Sequence, residues 1–248
     1  MPQDPAEDET TRLRRVYGNY ASDDAVRSRW DPDQPGNRLI LAERDGLLRE
    51  ALDRIRASRV GHEGPCTIVD LGCGEGHVLA SIVAPDPDAS GVGIDLLERR
   101  LHLARAQHPK LPLVAANGTA LPLADATVDV MVVFTVFSPI VDPSMAGGVA
   151  AEVRRVVRPG GRVVWYDLRR DNPRNPEVHG VSAADLAQLF PGWIASLRSC
   201  TLLPPLARRA ATVSPRSYGV LARVPMLRSH LFGVLRRPGP TEPRVGDR

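Results

Sequence analysis

Lysine is nearly absent from this 248-residue chain: Lys110 is the only one, and arginine carries the remaining positive charge. A lysine-poor, arginine-rich basic balance reads as codon bias more than as selection for phosphate contacts, so the sequence pI of about 9.0 argues little for nucleic acid. Aromatic residues make up 4% of the chain, too few for a base-stacking platform. No apolar run approaches the roughly 20 residues that cross a bilayer. The opening MPQDPAEDET is acidic where an export signal is basic and then apolar, so a cytoplasmic location is expected. Cys66, Cys73 and Cys200 are an odd set at spacings that fit no zinc pattern, so neither a metal site nor a disulfide framework is expected.

What is present is an ordinary globular balance, 43% hydrophobic and 25% charged, with length for one α/β domain. Short β-rich runs recur at 67–71, 91–95, 113–116, 128–134 and 162–167, with helix-length segments between them. Leu47, Leu48, Ala51, Leu52 and Ile55 stand at helical spacing in the segment 39–58. Strands apolar on both faces, alternating with helices, predict a Rossmann-like, doubly wound, mostly parallel sheet with helices on both faces. The boundaries expected are a tail and helical lid over 1–38, a core over 39–168, C-terminal substrate-side additions and last strands over 169–237, and a disordered tail over 238–248. In the C-terminal region, ten arginines after residue 197 face only Glu242 and Asp247. Its leucines and valines fit either an anionic membrane surface or packing on the core. Pro215 and Pro225, which would break a long amphipathic helix, favour packing.

One stretch carries chemistry. In "IVDLGCGEGHV", a strand ends on Asp70 and breaks into Gly72, Gly74 and Gly76. In an open parallel sheet, ligands gather where such a strand turns into its helix, and glycines there let a backbone approach a ligand closely. The third glycine falls one place early for a dinucleotide turn, and Asp70 would repel a diphosphate while suiting an ammonium group. Asp95 closes the second strand 21 residues beyond Gly74, where an acid can chelate ribose hydroxyls. Ammonium and nucleoside without a required phosphate describe S-adenosylmethionine.

With these residues and the later "AANGTALPL" and "RPGGRVVWYD", the chain resembles the class I S-adenosylmethionine-dependent methyltransferases of the small-molecule, methyltransferase type 11-like group, over about 47–167. The resemblance implies a seven-stranded sheet and a glycine loop of Asp70, Gly72, Cys73, Gly74 and Gly76 around the methionine end. Asp95 and Leu96 would hold the ribose, Asn117 and Gly118 the adenine, and Phe134 and Thr135 the sulfonium side. Asn117 stands where the family usually has aspartate. S-adenosylmethionine would be the cofactor and S-adenosylhomocysteine the product. The implied activity is methyl transfer to O, N or C of a small metabolite, in specialised biosynthesis, by in-line displacement. RNA methylation and cofactor binding without transfer are the alternatives, and a homodimer is compatible. "FTVFSP" after the fourth strand lacks the tetrapeptide of amino-base methyltransferases.

Candidates for a base, by location alone, are Asp142, Asp167 and His179, with Asp171 and His230 further ones. Tyr17 and Tyr20 read either as a lid or as staples for the tail. Arg169 and Arg170 read either as a clamp on an acidic substrate or as a network with Asp167 and Asp171; the network is preferred.

Overall fold

The computed structural model describes residues 8–22, 28, 31–59, 64–84, 89–173 and 175–239, without the side chains of 20–22. The tail expected over 238–248 lies almost wholly outside them. Helix α1 (Glu9–Ser22) is followed by α2 (Pro35–Ala57), β1 (Cys66–Leu71), α3 (His77–Val83), β2 (Ala89–Asp95), α4 (Glu98–Gln107), β3 (Leu113–Ala115) and β4 (Val128–Phe134). Then come α5 (Pro143–Val156), β5 (Val157–Leu168), α6 (Ala183–Leu189), β6 (Ile194–Leu202), α7 (Pro204–Val213), α8 (Pro215–Leu221) and β7 (Arg228–Arg236).

All seven strands join one sheet in the order β3-β2-β1-β4-β5-β7-β6. β1 to β5 pair in parallel, and β7 runs antiparallel between β5 and β6. This is the mostly parallel, doubly wound arrangement the alternation predicts. β4 is buried along its whole length, as a central strand covered on both faces must be. On one face Met131, Val133, Trp165 and Phe137 pack with α5 and α6; on the other Ile68, Val132, Val164 and Phe232 pack with Leu48, Leu52 and Ile55 of α2.

The described part of the arginine-rich C-terminal region packs against α2 and the sheet. Pro215 does not merely interrupt a helix; it opens α8 at a position where its missing N–H costs nothing. Ala207, Ala210 and Tyr218 bury against Ile40 of α2. Gly36 permits that crossing, since a Cβ there would lie 2.5 Å from the Arg208 backbone. β5 begins at Val157, five residues before the expected run, because the chain passes from α5 straight into extended backbone.

Candidate functional site

The strand order reverses between β1 and β4, and an open sheet leaves a crevice outside the carboxyl ends of its strands there. Asp70 sits at the end of β1, 2% exposed, and its Oδ2 has no hydrogen-bond partner. Burial, and secondly the charge of Asp95, push its carboxyl up to about 7; Arg44, the Leu79 amide and Arg100 oppose this only in part. A buried carboxylate oxygen with no donor is costly, and it suits a cationic donor brought by a ligand.

The loop beyond it is shaped by positive φ: +74° at Gly72, +55° at Gly74 and +80° at Gly76. The Gly72 and Cys73 amides both donate to the Ile94 carbonyl, at 2.7 and 3.1 Å, which ties the loop to β2. A Cβ on Gly72 would meet Val136 Cγ2 at 2.7 Å, and one on Gly74 would strike the Arg100 guanidinium. Cys73 is buried with its sulfur packed toward Gly93, and burial pushes its thiol far up, so it acts as packing within the loop. His77 is exposed, with its Nδ1 3.2 Å from His108 Nε2.

Asp95 ends β2 beside this loop. Its Oδ2 accepts from the Gly74 amide and its Oδ1 from the Leu97 amide, both at 2.8 Å. These bonds fix the carboxylate's orientation and leave each oxygen a second acceptor site. Leu96 follows it, half-buried against the core. The Arg100 guanidinium approaches Asp95 to 4.0 Å and lies 6.0 Å from the centre of the Tyr17 ring on α1. Arg100 is a site residue that the sequence reading missed; its signal was a cation one turn and a half past the acid.

Asn117 Nδ2 donates to Thr10 Oγ1 at 3.1 Å, and its Oδ1 accepts from the Thr119 amide at 3.1 Å. The side chain therefore links its own turn to α1, and its carbonyl already holds one donor. Gly118 backs onto Val149 of α5, where a Cβ would come within 3.2 Å. Phe134 ends β4 with its ring 5.4 Å from Tyr166, and the Arg44 guanidinium lies over it at 5.8 Å. Arg44 was also missed: it replaces an apolar residue in the stripe Ile40, Leu48, Leu52 of α2. Thr135 has φ +53°, a strained setting for a β-branched residue, and its amide donates to the Tyr166 carbonyl at 2.7 Å.

α1 lies over this end of the sheet. Arg12, 4% exposed, bonds Glu9 and Glu177 at 2.7 Å and also the Pro139 carbonyl, while Glu9 Oε1 accepts the Val141 amide at 2.8 Å. Tyr17 packs on the core edge; the Tyr20 side chain lies outside the described residues.

The three base candidates have different surroundings. Asp142 caps α5, accepting the Ser144 and Met145 amides at 2.9 and 3.2 Å. Asp167 is fully buried and accepts three amides, Phe137 at 2.9 Å, Ser138 at 3.1 Å and Leu168 at 2.8 Å. Burial raises its carboxyl above the ordinary range. Both carboxylates are thus committed to backbone. His179 has a buried Nδ1 with no partner, while its amide holds the Ser138 carbonyl at 2.9 Å. His230 stacks on Tyr166 at 4.5 Å with Nδ1 2.8 Å from Ser229 Oγ, and burial lowers its pKa to about 3, leaving it neutral. The preferred Arg169 network is not what forms. Arg169 donates to the Pro225 carbonyl at 3.1 Å, since Asp167 is consumed by amides and Asp171 accepts from Gly180.

Residues 68–161 match the methyltransferase-domain family. That segment is a methyltransferase domain, set in the sheet order that the class I resemblance implies. The chain is 33% identical over 131 residues to a Mycolicibacterium smegmatis protein described as a probable S-adenosylmethionine-dependent methyltransferase, covering 50% of this chain and 49% of that one. It is 34% identical over 124 residues to a malonyl-[acyl-carrier protein] O-methyltransferase of Methylococcus capsulatus, covering 48% and 44%. It thus spans about half the length of these relatives. A solved S-adenosylmethionine-dependent methyltransferase from Archaeoglobus fulgidus superposes with a TM-score of 0.53 at 15% identity, over 76% of this chain and 94% of that one, which speaks to fold. The glycine loop fits such a cofactor at two points: the unpartnered Asp70 oxygen and a glycine cradle that side chains would fill. Among the described residues no helix is long and apolar enough to cross a membrane, and no cluster of three metal-ligating side chains occurs.

Proposed function

We propose that this protein transfers a methyl group from S-adenosylmethionine to O, N or C of a small metabolite at the carboxyl ends of β4 and β5. The observation that carries the reading is the buried, unpartnered carboxylate oxygen of Asp70 above the glycine loop. Bound there, the cofactor supplies an electrophilic methyl on a sulfonium. Asp70 holds the amine and is kept ionised by it. Asp95, oriented by the Gly74 and Leu97 amides, takes the ribose hydroxyls with its remaining acceptor sites. Arg12 and Glu9 hold α1 across the crevice and exclude water.

Asp142 and Asp167 spend their oxygens on amides, so alignment of acceptor and methyl, more than proton removal by either, supplies the rate. His179, with one ring nitrogen disengaged, is the base retained for an acceptor that must lose a proton. Purified protein incubated with methyl-labelled S-adenosylmethionine, a panel of hydroxylated and amino metabolites including natural-product intermediates, and bulk RNA tests the reading. Label in a small acceptor supports it. Label in RNA, or cofactor binding with no turnover on any acceptor, overturns it.

A further inference from the structure

On the α2 face of the sheet, α2 and strands β5, β6 and β7 line a groove of about 360 Å³, within the range of small-molecule pockets. Its walls are Leu47, Ala51, Ile55, Leu197, Phe232 and Val234, and its charged lining is Arg54, Arg162 and Arg198 against Glu50 alone. Three cations face one anion. Glu50 serves two of them, Arg54 at 2.7 Å and Arg198 at 2.5 Å, and Arg198 also lies over the Phe232 ring at 5.7 Å.

Arg162 is the odd one out. Half-buried, it donates only to neutral groups, Ser58 Oγ at 2.9 Å and the Gly160 carbonyl at 3.2 Å. Burial and the repulsion of Arg236, Arg158 and Arg59 disfavour its charge. A guanidinium in that setting is stabilised by an anion, and the apolar walls beside it select one with a hydrophobic body. Arg162 itself stands six residues, about 20 Å at some 3.3 Å per residue, from Leu168 at the carboxyl end of β5, while the apolar wall runs toward that end as far as Phe232, which pairs with Tyr166.

We propose that this groove binds an organic anion with a carboxylate head and an apolar body, the head on Arg162 and the body along α2 and β6. It is a second ligand site, independent of the transferase reading. Titration calorimetry of the full chain with decanoate, 1-decanol and inorganic phosphate tests it, alongside hydrogen exchange. Decanoate is expected to bind saturably and to protect the last turns of α2 and β6. Arg162→Gln should weaken it about tenfold or more, Leu47→Asn should weaken it with the charge intact, and Arg216→Gln, on the exposed face of α8, should leave it unchanged. The proposal is overturned if decanoate shows no saturable binding, if Arg162→Gln and Arg216→Gln weaken it equally, or if 1-decanol or phosphate binds as tightly as decanoate.

Discussion

Replacing Asp70 by asparagine should change how stability depends on pH. In the empty protein its carboxyl is pushed from 3.8 to about 7, chiefly by burial and then by Asp95. That is about three pH units, each about 1.4 kcal/mol, so about 4 kcal/mol in all. Because the folded pKa is raised, the folded state retains a proton that the unfolded chain releases. The stability that Asp70 contributes is therefore fully present below about pH 4, falls as pH rises, and is lost beyond about 7. Asp70→Asn lacks this slope. Any penalty for its unpaired amide is the same at every pH, so the stability difference between variant and wild type should grow by about 4 kcal/mol from pH 4 to pH 8. Urea unfolding at one-unit intervals measures it. S-adenosylmethionine, whose amine stabilises the ionised carboxyl, should flatten the wild-type slope. The variant should bind that cofactor on the order of thirtyfold more weakly, about 2 kcal/mol, by calorimetry. Parallel pH profiles, or equal cofactor affinity, would refute the reasoning.

Asp167→Asn places an amide against three backbone N–H groups and should lower stability by about 2–4 kcal/mol, seen as a lower Tm; a variant of full Tm with no turnover would instead mark Asp167 as a base. Asp142→Ala should cost about 1 kcal/mol through the lost cap while kcat is unchanged. Gly72→Ala forces a side chain into φ +74° against Val136, costing about 1–3 kcal/mol, and should raise the cofactor Kd more than it lowers Tm. Arg12→Gln leaves Glu9 and Glu177 without their shared cation; hydrogen exchange in 9–19 should rise at least about tenfold and KM should rise with the core unaffected.

The parallel core was legible because β1, β2 and β4 are apolar runs closed by Asp70, Asp95 and Phe134, and because three alternating glycines have few uses other than a close turn. What was not legible depended on contacts distant in sequence. The insertion of β7 between β5 and β6 leaves no trace in the pattern of 228–236, since strand direction is set by neighbours. Arg100 reads as a surface residue of α4 until the fold sets it beside Asp95 and Tyr17. Asn117 reads as half of a turn, and its bond to Thr10 spans more than a hundred residues. The burial of Asp167 and the cap of Asp142 likewise arise from loops folding back onto their own carboxylates.

The antiparallel strand β7 also governs the order in which the molecule can assemble. Among the described residues β6 pairs only with β7, so residues 194–202 have no partner strand until 228–236 are in place, whereas the five parallel strands pair with one another without β7. Shortening the chain before residue 228 would strand two ribbon edges at once, on β5 and on β6, and expose them to pairing with other chains.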